Sequence, residues 1–274
     1  VDPAGVDAAV AEAANLIRDA EAIVIGAGAG MGVDSGLPDF RGPEGFWRAY
    51  PAFKGRQFSE MSNPYWFDRD PELAWGFFGH RLQLYRDTPP HAGFWILKTW
   101  MDSKLLGGFV VTSNVDGQFS KAGFDPERIV EIHGSIHHLQ CVKRCGRTSD
   151  IWPEPGLTFD IDEAVRTCSP LPRCPGCGAL ARPNVLMFGD YGWIGARSNQ
   201  QRRRFETWMR TVRQRRIAVV ELGAGTAIPS IRMACESLAD QVIRINPRDP
   251  DGPVGTVSIP LGALEGLRRI DTLL

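Results

Sequence analysis

The sequence predicts an α/β protein built on a parallel sheet, with a helical cap and a metal-stapled insertion. Three observations predict it: short β-branched runs separated by helical stretches, an aromatic-rich segment between Pro43 and Pro90, and two close cysteine pairs within a proline- and glycine-rich stretch. Strands alternating with helices favour a parallel sheet with right-handed crossovers, because each crossover must return over one face of the sheet.

Residues 6–19 carry Val6, Val10, Ala14, Leu16 and Ile17 at near-helical spacing, with Arg18 in the last turn, which predicts an amphipathic N-terminal helix. Ala22–Ile25 is wholly apolar and stops at a glycine cluster, as a buried parallel strand does. Further strands are predicted at 109–112, 129–132, 217–222 and 242–245. Each empties into polar or glycine-rich residues, at the strand ends where ligands sit in such sheets. Between these strands, Phe46, Trp47, Trp66, Trp75, Phe77 and Phe78 belong to a helical cap. In residues 137–180, Cys141 and Cys145 form one short knuckle and Cys174 and Cys177 a second, so four thiolates face one tetrahedral zinc and fill its shell. Such a site is structural. Cys168 is a possible fifth thiol, and Cys235 reads as buried packing in a helix.

The chain has 274 residues, enough for one nucleotide-binding domain and a smaller insertion. Its apolar content of 43% and charged content of 23% describe a globular protein with a sizeable core. A net charge of -1 offers no whole-molecule attraction to nucleic acid or anionic membrane. The arginine-rich stretch 202–216 also carries Phe205, Trp208, Met209 and Val212 at helical intervals, so it reads as a solvated amphipathic helix. No apolar run approaches the roughly 20 residues that cross a bilayer, and no signal pattern opens the chain. A cytoplasmic protein is expected, with no membrane contact and no direct nucleic-acid binding.

Four strings at the strand ends carry the chemistry. Residues 26–36, GAGAGMGVDSG, follow a strand and suit a phosphate cradle, since glycine lets backbone amides approach an anion closely. They continue into Leu37-Pro38-Asp39-Phe40-Arg41. Thr112-Ser113-Asn114-Val115-Asp116-Gly117 ends a second strand, and His133-Gly134 ends a third. A histidine there can act as a general base near neutral pH. Arg182–Asp190, RPNVLMFGD, follows the cysteine-rich stretch.

In this order the strings resemble the sirtuin family. Gly28–Arg41 matches GAG(I)S-x-x-SGIPDFR without a gap, with Gly32 where serine is usual; residues 112–117 resemble TQN(I/V)DG, with Ser113 for glutamine; His133-Gly134 resembles the catalytic HG; residues 182–190 resemble RP-x-VVxFGE, with Asp190 for glutamate. Gly223-Ala224-Gly225 takes the place of a GTS loop, and Asn246 that of a late asparagine.

The resemblance implies a Rossmann-like NAD-binding domain formed by residues 1–42, 86–136 and 181–274, a cap at 43–85 and a zinc ribbon at 137–180. It implies that NAD contacts Gly28, Ala29, Gly30, Asp39, Phe40, Arg41, Ser113, Asn114, Asp116, His133, Gly223, Gly225 and Asn246. Asn114 would face the nicotinamide ribose, Asp116 would hold the carboxamide, and His133 would deprotonate a ribose hydroxyl. Val185, Leu186, Phe188 and Gly189 would line the tunnel for an acyl-lysine and pair with its backbone. The implied activity is NAD-dependent protein-lysine deacylation, releasing nicotinamide and O-acyl-ADP-ribose; the alternatives are an ADP-ribosyltransferase or NAD glycohydrolase on the same fold, and a non-catalytic NAD-sensing scaffold. Phe78 and Arg81 stand where some members accept acidic acyl groups through a Tyr-x-x-Arg pair, and phenylalanine lacks the hydroxyl for that.

Overall fold

The computed structural model describes residues 3–39, 42–146 and 150–274. Helix α1 (Pro3–Asp19) leads into strand β1 (Ala22–Ala27), which runs into a 3-10 segment at Ala29–Ser35. The crossover to the next strand holds the cap: α2 (Gly42–Ala49), α3 (Phe58–Met61), α4 (Tyr65–Arg69), α5 (Pro71–Asp87) and then α6 (Ala92–Ser103). Strand β2 (Gly108–Thr112), the short helix α7 (Gln118–Lys121) and β3 (Ile129–Glu131) follow. A second excursion contains β4 (Gly134–Cys141), β5 (Ile151–Pro153) and β6 (Ala181–Val185), and α8 (Ala196–Val212) returns to the main sheet. The chain closes with β7 (Ile217–Leu222), α9 (Ser230–Glu236), β8 (Val242–Ile245), β9 (Val257–Ile259) and α10 (Ala263–Asp271).

The main sheet has the order β3-β2-β1-β7-β8-β9, all pairs parallel. This is the doubly wound order in which direction reverses beside the first strand and leaves a crevice at the strand ends. Alternation along β1 explains the layers. Ile23, Ile25 and Ala27 pack with α1, α6 and α10 on one face, whereas Ala22 and Val24 pack with Trp208 and Val212 of α8 and Ile231 and Cys235 of α9 on the other. Strand β9 is a three-residue addition that the sequence patterns did not expose.

β4, β5 and β6 form a separate antiparallel sheet. Its apolar residues do not form a core of their own but join the cap: Leu139, Ala181 and Val185 share one cluster with Phe46, Trp75, Phe77 and Phe78. Trp75 donates its indole N–H to the Ala181 carbonyl at 2.9 Å, a buried tie between α5 and β6. Residues 181–185 thus hydrogen-bond with the insertion while leading back to the main sheet. The arginine-rich stretch is helical, within α8, and buries Trp208 and Val212 while Arg202, Arg203 and Arg210 stay exposed.

Buried charge ties the far side of the sheet together. Arg244 on β8 and Glu221 on β7 are register partners, both inaccessible, with Nε–Oε1 at 2.7 Å and Nη2–Oε2 at 2.8 Å. Arg244 also reaches Glu236 and the Asp251 carbonyl, each at 2.7 Å, so the pair anchors the turn after β8. No helix among the described residues is long and apolar enough to cross a membrane.

Candidate active site and zinc centre

A cavity of about 550 Å³ opens where β1, β2, β3 and β7 end, the crevice that the strand order creates. Its size suits a dinucleotide-scale ligand. One wall comes from the loop after β1, with Gly28, Ala29 and Asp39. Ser113, Asn114 and Asp116 form the floor beyond β2, and His133 follows β3. Gly223 and Gly225 come from the loop after β7, and Val185, Leu186 and Phe188 from the segment after β6. Five separate elements therefore bring most of the expected site residues to one volume.

The glycines after β1 and β7 serve a close approach of two backbones. A Cβ on Gly28 or Gly30 would lie 2.7 Å from backbone atoms of Ala224 or Gly223, and Gly223 itself has φ of +59°. Gly28 N–H donates to the Leu222 carbonyl at 2.9 Å and Gly30 N–H to the Gly223 carbonyl at 3.0 Å. These two amides hold the loops together, and Gly30 lies behind the cavity wall rather than on it. Asn246 is placed similarly. It is 1% exposed, donates to the Ala224 carbonyl at 2.9 Å and accepts from the N–H groups of Arg248 and Asp249, both at 3.1 Å. Its side chain supports the Gly223–Gly225 loop from below and does not line the cavity. Phe40 and Arg41 lie outside the described residues. Asp39, beside them, meets Arg248 at 3.0 Å across the mouth.

The floor is built by side chains that bond locally. Thr112 Oγ1 accepts from Asn114 N–H at 3.0 Å and donates to the Ala27 carbonyl at 2.9 Å, fixing the turn beyond β2. Asn114 Nδ2 donates to the Gly28 carbonyl at 3.0 Å. Asp116 Oδ1 accepts from Gln118 N–H at 2.9 Å, and His137 Nε2 lies 2.9 Å from the Asp116 carbonyl oxygen. Burial pushes the Asp116 carboxyl up to about 6, with the nearby Glu131 carboxylate adding to the rise; the Gln118 N–H and the Arg81 guanidinium act against it. Burial also holds His133 below the usual histidine value, opposed by a hydrogen bond to the Ser113 backbone. A lowered value favours the neutral imidazole near pH 7. Gly134 follows it at φ +78°, a conformation that glycine takes without strain.

The segment after β6 is held by charge. Arg182 and Asp190, both buried, pair at 2.7 Å, and Asp190 accepts from Gly192 N–H at 3.0 Å, so the aspartate closes this turn. Phe188 N–H donates to the Ser62 carbonyl of the cap at 2.9 Å, which sets Leu186 and Phe188 half-exposed at the mouth. Gly189 has φ of +66° at the bend and does not line the cavity. Sequence patterns missed part of the cap wall, Phe58, Ser62 and Tyr85, because no linear signal links them to the strand ends. Arg81, buried in this wall, donates to the Tyr85 hydroxyl at 3.0 Å and 3.2 Å. A hydroxyl therefore stands one turn from Arg81 although Phe78 has none.

At the far end of the small sheet, the Sγ atoms of Cys141, Cys145, Cys174 and Cys177 lie within 4.8 Å of one another. Cys141–Cys177 and Cys145–Cys174 are each 3.7 Å apart. A disulfide would need about 2.05 Å, whereas thiolates about 2.3 Å from a tetrahedral zinc lie roughly 3.8 Å apart. The observed spacing fits the metal. Cys168 is exposed and outside the cluster, and Cys235 is buried in α9.

The Sir2 family model matches residues 28–217, from the first cavity loop to the start of β7. The chain belongs to the Sir2 family. Among its relatives, an NAD-dependent protein deacylase of Thermus thermophilus is 29% identical over 93% of this Sir2-family chain and 91% of its own length. A protein of the same name from Thermococcus kodakarensis is 35% identical over 65% of this chain and 63% of its own. A Sir2 homologue solved with NAD superposes with a TM-score of 0.68 at 22% identity, covering 96% of this chain and 93% of that one, a likeness of fold.

Proposed function

We propose that this Sir2-family protein is an NAD-dependent protein-lysine deacylase, with His133 as its catalytic base. The observation that carries the reading is the convergence of His133, Asn114 and Asp116 with the 185–188 segment on one cavity at the sheet's crevice. NAD, when bound, supplies the ADP-ribosyl group that accepts the acyl chain as nicotinamide leaves. Asp116 accepts a hydrogen bond from the carboxamide N–H group, and Asn114 orients the ribose beside it. Neutral His133 takes the proton from a ribose hydroxyl so that the hydroxyl oxygen can attack the acyl carbon. Leu186 and Phe188 flank the entering acyl-lysine, whose backbone extends the 185–188 segment as an added strand. Phe58, Tyr85 and Val185 wall off water, which would otherwise compete for the ribose carbon.

In this reading residues 1–42, 86–136 and 181–274 hold NAD, the cap (43–85) supplies the facing wall through Phe58, Ser62, Arg81 and Tyr85, and the zinc module (137–180) lies outside the cavity lining. Zinc has no place in the chemistry, since four thiolates leave it no open position. Arg81 and Tyr85 favour a second feature of specificity: an acyl chain ending in a carboxylate would meet a guanidinium and a hydroxyl in the cap wall.

The test is incubation with NAD and peptides bearing acetyl, longer aliphatic or carboxylate-ended acyl-lysines, with products identified by mass. Acyl-ADP-ribose and free lysine peptide are expected, with nicotinamide release that requires the peptide. In His133→Ala acyl-ADP-ribose should vanish while NAD affinity changes little. Peptide-independent nicotinamide release with no acyl-ADP-ribose at any chain length would replace the deacylase with a transferase or glycohydrolase.

A further inference from the structure

Strand β3 is the edge of the main sheet, and an edge leaves backbone groups in need of partners. Ile132 N–H donates inward to the Thr112 carbonyl of β2 at 2.9 Å, so the N–H and carbonyl of Glu131, one residue earlier, turn outward. Side chains of α8 stand there in place of a further strand. Gln201 Oε1 accepts from Glu131 N–H at 3.0 Å, and Ser198 Oγ donates to the Glu131 carbonyl at 2.8 Å. All three residues are buried.

The clamp extends to the carboxylate. Glu131 Oε2 lies 2.5 Å from Arg197 Nη1 and 3.3 Å from Gln201 Nε2. Arg197, Ser198 and Gln201 share one face of the first two turns of α8, because residues three and four apart are neighbours on a helix. Docking of α8 does not call for these bonds. The helix is seated by Trp208 and Val212, which lie further along it in the cluster that covers Val24, Phe109 and Val219 of the sheet. Apolar side chains at 198 and 201 would extend that seat at no polar cost. The buried hydroxyl and amide are instead spent on one residue, Glu131, two positions before the base.

We propose that Ser198 and Gln201 are positioning residues for His133: they fix the end of β3 as a neighbouring strand would, and with it the imidazole against the ribose. The hold on His133 is completed from the other side. Its carbonyl accepts from Leu186 N–H at 2.9 Å, which ties the base to the segment where the acyl-lysine enters. Clamped at Glu131 by α8 and at its own carbonyl by Leu186, His133 has its backbone gripped on both sides. A base must lie within a hydrogen bond of the hydroxyl that it deprotonates, so a small displacement of the strand end is felt in the chemistry.

The inference rests on His133 being the base only for its effect on turnover, and two readouts keep the two apart. The placement of the ring is read from the His133 imidazole NMR signal, assigned by its loss in His133→Ala. Turnover is read from steady-state kinetics with NAD and an acyl-lysine peptide. Gln201→Met keeps the approximate volume but removes both the acceptor for Glu131 N–H and a donor to its carboxylate. The His133 signal should shift while that of His80, in the cap, does not. kcat and kcat/KM should fall together by about tenfold with KM for NAD unchanged, since only the transition state feels a misplaced base. A residue that served only to seat α8 would lower the melting temperature and move neither readout. If Gln201→Met does not fold, Ser198→Ala carries the same test, because it removes one hydroxyl and adds no bulk. An unmoved His133 signal in the folded variant overturns the proposal. A shifted signal with undiminished turnover upholds the positioning and overturns His133 as the base.

Discussion

Asp116→Asn is the perturbation in which structure and function pull in opposite directions. Burial and the Glu131 carboxylate hold the Asp116 carboxyl at about 6 rather than 3.8. Because the folded state binds this proton more tightly than the unfolded chain, the group's favourable contribution is complete below 3.8 and is lost as pH rises through about 6. At 1.36 kcal/mol per pH unit, the ionised carboxylate costs about 3 kcal/mol at pH 8 and about half that at pH 5. Asparagine is neutral at both, keeps an oxygen for Gln118 N–H, and should therefore stabilise the ligand-free protein by about those amounts. For a chain of this length the gain at pH 8 corresponds to a melting temperature higher by on the order of 6 °C. The assay is urea and thermal unfolding of both proteins between pH 5 and 8, read as a difference so that other titrating groups cancel. A stabilisation that does not grow with pH, or an asparagine variant less stable at pH 8, would refute the burial argument. NAD binding should weaken in the same variant, because in the proposed role the Asp116 carboxylate accepts a hydrogen bond from the carboxamide.

Other perturbations test other parts of the structure. Because His133 has a depressed value in the fold, it stays neutral at pH 7 and loses its base function only as pH falls; the acid limb of kcat should have its midpoint below 6.5, and a midpoint above that value contradicts the assignment. Elemental analysis should find one zinc per chain, and Cys174→Ser should release it and unfold the small sheet locally, read as lost amide protection over 134–185, since binding energy in such modules is folding energy. Arg244→Met should cost about 3–5 kcal/mol in urea unfolding, because it strands Glu221 inside the sheet; a loss under about 1 kcal/mol would show that the pair contributes little.

The sequence by itself determined the sheet and the chemistry placed on its ends. β1, β2, β3, β7 and β8 were legible because a strand covered on both faces is mostly apolar, even where a buried charge such as Glu221 or Arg244 finds a partner inside the sheet, and each such run ends at a glycine or a polar turn. The four zinc-spaced cysteines were legible for a similar reason: short knuckles carry their geometry in their spacing. β4 was hidden because His137, His138 and Gln140 interrupt its apolar pattern. They are tolerated there since partners arrive from distant segments, as when Gln140 Oε1 accepts from Asn184 Nδ2 at 2.9 Å. Only the tertiary structure decided which motif residues face the ligand cavity. Gly30 and Asn246 belong to motifs like their neighbours, yet their polar groups are taken up in fastening one loop to another. The cap wall was likewise decided there. It depends on groups 30 or more positions apart meeting at one point, as the Gln118 side chain meets the Tyr85 and Thr88 carbonyls, and no local pattern in a chain encodes such a meeting.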